Sequence, residues 1–175
     1  MHKTCFMKRN YLYLLAICCL TAVASAKSSV QKYFSPNKKY FAMVYNTQAN
    51  GEMPESTVSI YDIQGKLLQY KSYVSPDHEH GYSVVQLKWS ADSKFCVWSL
   101  TSSGGHSPWH FPTDCFVQKC NTIINIDAQL NCGLTQAKFK LKAPHNFLSQ
   151  RLIPNPSGEP EYAKVTLDLA SLKCH

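Results

Sequence analysis

Residues 34–45 read FSPNKKYFAMVY, and residues 89–100 read WSADSKFCVWSL. Laid one on the other at an offset of 55, Phe34 meets Trp89, Ser35 meets Ser90, Asn37 meets Asp92, Lys39 meets Lys94 and Tyr40 meets Phe95. The offset persists downstream, where Ile60, Tyr61 and Gln64-Gly65-Lys66 fall on Cys115, Phe116 and Lys119-Cys120-Asn121. A repeat constrains architecture before any single element does, because each copy must be the same supersecondary unit. The offset implies that the copies superpose, with Tyr40 and Phe95 buried at equivalent places and Asn37 and Asp92 in equivalent turns.

Outward from the repeat, the pattern is strands. Residues 39–45, 56–63, 66–73, 83–89, 94–100, 114–118 and 122–126 are short runs rich in β-branched and aromatic side chains, and turn residues separate them. Residues 137–142 and 163–169 add two more. No stretch carries a sustained 3.6-residue apolar stripe with caps, so helix is expected to be scarce, with one short turn at 147–152. The segment 154–161, holding three prolines and a glycine, reads as a loop. The expected fold is all-β and antiparallel: two blade-like repeat units, about 31–73 and 84–126, form a curved sheet or two-layer sandwich, followed by a C-terminal extension over 127–175.

Residues 1–26 have the form of a secretory signal peptide. Lys3, Lys8 and Arg9 open it, and residues 11–23 form an apolar run shorter than the roughly 20 residues needed to span a bilayer. Ala24-Ser25-Ala26 supplies the small-residue cleavage site. A Leu15-Ala16-Ile17-Cys18 box would instead suit a lipoprotein, but Ile17 is bulky where such boxes take a small residue. The expectation is an exported protein, periplasmic or secreted, whose single domain spans 27–175 with no further membrane span. Removing the leader leaves 15 Lys and Arg against 11 Asp and Glu, a net charge of +4. The cations are scattered, which argues against nucleic-acid binding. Lys138, Lys140 and Lys142 alternate and would share one strand face, as lysines guarding an edge do.

Five cysteines follow the leader: Cys96, Cys115, Cys120, Cys132 and Cys174. In an exported chain they are disulfide candidates. At least one bridge is expected, joining Cys132 or Cys174 to an earlier strand, since the C-terminal extension lies outside the repeat.

The stretches FSPNKKYFA, STVSIYDIQGKLL and LKWSADSKFCVWS are similar to the repeat units of exported β-propeller proteins of the WD-repeat and TolB-like kind. The resemblance covers about residues 31–126 and implies blade-like antiparallel sheet. A closed propeller needs roughly four or more blades of about 40 residues; the 149 residues after the leader hold at most three, so closure is not expected.

The stretch 102–112 reads SSGGHSPWHFP and lies between two expected strands. Binding residues tend to sit on loops carried by a rigid sheet, which makes Ser103, Gly104, Gly105, His106, Trp109, His110 and Phe111 the candidate site. The alternative is that Trp109 and Phe111 fold back to close the core. This loop also resembles that of periplasmic inhibitors of invertebrate-type lysozyme, small exported β proteins that insert a Ser-Gly-x-Tyr loop into the lysozyme cleft. The motif falls on Ser103, Gly104, Gly105 and His106, with His106 where the family has tyrosine.

Paired histidines offer a metal reading through His78, His80, His106 and His110, since a strand-like His-x-His puts both rings on one face. No HExxH helix motif and no GxSxG elbow occurs. Asp62, Asp77, Asp92 and Asp127 sit where Asp ordinarily forms turns. The chain carries no enzyme signature and implies no cofactor. The reading favoured is a non-catalytic exported binding module, with a lysozyme-type glycosidase as its protein partner. A structural envelope protein without ligand and a metal-binding protein are the alternatives.

Overall fold

A computed structural model describes residues 29–47, 53–105, 109–153 and 161–174. The leader with its cleavage point, His106, and all but Glu161 of the proline-rich 154–161 stretch lie outside the described residues. The fold is all-β, in three separate antiparallel sheets, none closed into a barrel. The first sheet takes β1 (Ser29–Phe34), β2 (Tyr40–Thr47), β3 (Glu55–Asp62) and β4 (Leu67–Ser72) in simple up-and-down order. The second repeats that order with β5 (Tyr82–Trp89), β6 (Phe95–Ser102), β7 (Thr113–Val117) and β8 (Thr122–Asn125). A five-residue helix, α1 (Ile126–Leu130), leads to the third, in which β10 (Asn146–Ile153) lies between β9 (Lys140–Lys142) and β11 (Glu161–Asp168).

The repeat extends to individual hydrogen bonds. Shifted by 55, β2 covers β6 residue for residue. In the first copy the Ser35 hydroxyl donates to Asn37 Oδ1 at 2.8 Å, the Lys38 N–H to Ser35 O at 2.8 Å, and the Tyr40 N–H to Ser35 Oγ at 3.1 Å. In the second, Ser90 donates to Asp92 Oδ1 at 2.6 Å, Ser93 N–H to Ser90 O at 2.9 Å, and Phe95 N–H to Ser90 Oγ at 3.1 Å. Lys38 and Ser93 both hold positive φ, 57° and 63°. A third copy of this turn, not expected from the repeat, joins the two sheets. In it Ser75 donates to Asp77 Oδ1 at 2.8 Å, His80 N–H reaches Ser75 Oγ at 3.2 Å, and His78 sits at φ 59°. Its Ser75-Pro76-Asp77 tripeptide matches Ser35-Pro36-Asn37 in the sequence.

The second sheet is buried on both faces. Ala42, Val44, Val58 and Ile60 of the first sheet pack on Leu87, Cys96, Trp98, Leu100 and Phe116. From the opposite face, Phe95, Val97, Cys115, Val117 and Ile124 pack under the C-terminal extension, against Phe139, Phe147, Val165 and Leu169. A strand covered on both sides reads as a continuous apolar run rather than an alternation, which is why β6 carries Phe-Cys-Val-Trp in succession. This coverage also separates Tyr40 from Phe95. Phe95 is buried beneath the extension, beside the His145 ring at 5.3 Å. Tyr40 is only half-buried, stacked on Trp89 at the margin of its sheet, with its hydroxyl accepting from Gln118 Nε2 at 2.8 Å.

Two other expectations change. Residues 147–152 form no helical turn, because β10 pairs with a strand on each side; eight consecutive ladder partners outweigh a weak local helix preference. The strand expected over 137–142 shrinks to β9. Ahead of it the Gln86 side-chain amide bonds both the N–H and the C=O of Phe139, at 3.0 and 3.2 Å, so a side chain occupies the place of a strand partner. Lys140 and Lys142 project, exposed, from this edge strand.

Cys120 and Cys174 form a disulfide, Cα to Cα 6.1 Å, tying the end of the extension to the β7–β8 turn. Among the described residues Cys96 and Cys115 are free and buried, on opposite faces of the second sheet, and Cys132 is free and half-buried. Burial pushes the Cys96 and Cys115 thiols well above their ordinary value, which keeps them protonated and unreactive. Replacing Cys174 by Ser should cost about 2–4 kcal/mol, since the bridge closes a loop with a sequence separation of 54. Comparing urea midpoints of oxidised protein and variant checks this, and equal midpoints would contradict it.

Candidate functional site

The loop that follows β6 is held at both feet by a buried carboxylate. At the first foot, Glu55 is wholly buried at the start of β3. It accepts the Ser75 N–H at 2.8 Å and the Gly81 N–H at 2.6 Å, and its Oε1 lies 2.7 Å from Ser75 Oγ, whose one proton it shares with Asp77. Ser103 Oγ lies 2.9 Å from Glu55 Oε1 and 3.0 Å from the carbonyls of Glu79 and Gly81, and its one proton serves them in turn. Burial alone would raise the Glu55 carboxyl, but the donors from Ser75, Ser103 and Gly81 outweigh it and hold the group below its ordinary value. Gly81 is required here: a Cβ would lie 2.3 Å from Tyr73 O and 2.4 Å from Glu55 Cδ.

At the second foot stands Asp127, buried on α1. Its Oδ2 accepts the Thr113 N–H at 2.7 Å, and its Oδ1 accepts the Leu134 N–H at 2.9 Å. His110 Nε2 lies 3.1 Å from the same Oδ1. The Phe111 N–H donates to Leu134 O and the Leu100 N–H to Pro112 O, both at 2.8 Å, so the descending limb joins the sheet.

Between the feet the chain turns outward. Ser103 is buried, Gly104 half-buried and Gly105 exposed, with φ 69° that suits glycine. His106, Ser107 and Pro108 lie outside the described residues. Trp109 is 74% exposed, His110 is exposed on its Asp127 tether, and Phe111 is half-buried. Of the candidate residues, Ser103 therefore belongs to the base, while Gly105 and Trp109 stand outward.

The histidines meet a different geometry from the strand-like pair expected. His78 and His80 lie in the Ser75 turn. His80 Nδ1 sits 2.5 Å from Asp77 Oδ2, and that hydrogen bond, with the attraction of the Asp77 charge, raises its pKa above the ordinary imidazole value. His78 Nδ1 lies 3.9 Å from Glu55 Oε2 at the first foot, while His110 belongs to the second. Among the described residues no three His, Cys, Asp or Glu side chains converge as a metal site would require.

Glu55, Gly81 and the holding role of Asp127 are absent from the sequence reading. Asp127 looked like a turn former, and Glu55 carried no local signal, since its partners lie 20, 26 and 48 residues away. Among the described residues no helix is long and apolar enough to cross a membrane. In comparison with known proteins, no family model matches the chain and no curated protein matches it in sequence.

Proposed function

We propose that this is an exported, non-catalytic binding protein that holds the loop at 102–112 out to a protein partner, and that the partner is a lysozyme-type glycosidase. The observation that carries this reading is the 74% exposure of Trp109 on a loop whose two feet are tied to buried carboxylates. An indole that closed the core would be buried, so the exposure of Trp109 favours recognition over core closure. Feet fixed in advance reduce the entropy lost on docking, and exposed Trp is the residue type most often found at the energetic centre of an interface. Export, to the periplasm or beyond, is supported by the form of residues 1–26 and by the Cys120–Cys174 disulfide.

The test is inhibition of peptidoglycan hydrolysis by an invertebrate-type lysozyme in the presence of the purified protein. Trp109→Ala should weaken inhibition by at least about 2 kcal/mol, roughly thirtyfold, with an unchanged melting temperature. Absence of inhibition at micromolar protein rules out the lysozyme assignment. Undiminished inhibition by Trp109→Ala, or a variant that loses stability instead, rules out the loop as the binding element.

A further inference from the structure

The register of the third sheet sets which side chains its outer face carries. Leu141, Phe147 and Leu167 share one row and turn into the core against the second sheet. Side chains alternate along a strand, so the rows on either side point outward. One holds Lys140, Leu148 and Thr166, the other Lys142, Asn146 and Asp168, and Gln150 with Lys164 lies two residues beyond the first. A groove of about 380 Å³ opens on this face. Lys138, Lys140 and Lys142 line it on the β9 side and Lys164 on the β11 side, all exposed, while Leu148 and Gln150 of β10 are half-buried between them.

The charge in this groove is of one sign. Among the described residues none of the four lysines makes an ion pair, and no acidic side chain lines the groove. Asp168, in the Lys142 row, is engaged elsewhere: its Oδ1 lies 3.1 Å from His145 Nε2 and accepts the Ala170 N–H at 2.9 Å. The backbones of β9 and β11 are two strand spacings apart, about 10 Å. That is comparable with the screening length of about 8 Å at physiological ionic strength, so the fields of the two sides overlap above β10. Guarding the sheet edges requires only a charge on each margin, not four about one hollow.

We infer that this groove binds an acidic polysaccharide, whose sulfate or carboxylate groups meet the lysines. Charge complementarity sets the sign of the ligand, and the shape and neutral lining set its class. A flat anionic surface would touch the rims and miss the floor, whereas a linear chain can lie along β10. Gln136, Gln150 and Thr166 line the same groove with amide and hydroxyl groups, the partners that sugar hydroxyls require. No aromatic ring lines it, so a nucleic-acid base would find nothing to stack on. The groove shares no residue with the loop at 102–112, so the two sites are separable.

Isothermal titration calorimetry should show binding of heparin fragments, which are sulfated, or of oligogalacturonate, which is carboxylated, and binding should weaken as salt is raised. Neutral dextran should not bind. The double variant Lys140→Glu/Lys164→Glu should weaken binding at least about tenfold with an unchanged melting temperature, and Lys140→Gln/Lys164→Gln should fall between it and the wild type. Lys39→Glu/Lys66→Glu, on exposed turns of the first sheet, carries the same net charge as the groove variant and should bind nearly as the wild type does. Failure to bind either acidic glycan overturns the inference. So does binding that survives the groove variants, an equal loss in the first-sheet variant, or tighter capture by phosphatidylglycerol vesicles than by either glycan.

Discussion

Trp98→Ala should lower folding stability by about 3–5 kcal/mol, the range for deleting a large buried aromatic side chain. The indole is wholly buried in β6, in the core between the first and second sheets. It also carries a polar duty. Its Nε1–H donates to the Tyr73 hydroxyl at 2.7 Å, and that hydroxyl donates to Asp114 Oδ2. Asp114 is itself buried and accepts Lys71 Nζ at 2.7 Å and Asn125 Nδ2 at 3.0 Å. Burial, then the neighbouring Asp114 charge, pushes the Tyr73 phenol far above its ordinary value, so it remains a donor at every accessible pH. Trp98→Phe would keep much of the volume and lose the donor, and should cost about 1–2 kcal/mol. Chemical denaturation of both variants checks this. A loss under about 1 kcal/mol for Trp98→Ala would mean that the ring does not fill the space between the sheets.

Glu55→Ala should cost about 3 kcal/mol and release the recognition loop from its base. The substitution strands the buried Gly81 N–H and takes the common acceptor from Ser75 and Ser103, and each orphaned buried donor costs about 1–3 kcal/mol. Amide hydrogen exchange at Gly81 and Ser103 should accelerate in the variant, while exchange in β10 should slow or quicken only with global stability. The same carboxylate makes stability pH-dependent. Its folded pKa lies below its unfolded one, so the stabilisation is complete above the ordinary Glu value near 4.3 and is lost as pH falls through the lower folded value. On acidification the wild type should therefore weaken more steeply than Glu55→Gln, which has no proton to take up there. Parallel acid limbs would show that Glu55 is not held as its donors imply.

The turns show how far local chemistry reaches. Ser35-Asn37, Ser75-Asp77 and Ser90-Asp92 each close on themselves, because a hydroxyl and a short acceptor side chain satisfy backbone groups two to five residues on. The sequence alone was therefore enough for the all-β antiparallel class and for most strands of the doubled unit, but it missed β1 and β10 and left the tether of the extension open between Cys132 and Cys174. The helical turn expected at 147–152 failed where the signal was weakest and two neighbouring strands were waiting.

The face each residue would show to its surroundings was a matter for the tertiary structure. Trp98 and Trp109 are the same residue eleven positions apart, one at zero exposure and the other at 74%. Glu55 and Asp62 bound the same strand, yet Glu55 is buried under donors from 20 to 48 residues away while Asp62 caps its own hairpin at Lys66 N–H. Phe34 and its counterpart Trp89 occupy matching places, but only Trp89 has a sheet laid over it, and Phe34 stays 52% exposed. Strand and turn preferences are properties of a few consecutive residues, and the chain states them directly. Burial, and with it the held carboxylates and the outward tryptophan, belongs to surfaces brought together from distant parts of the chain, so it exists only once the sheets have stacked.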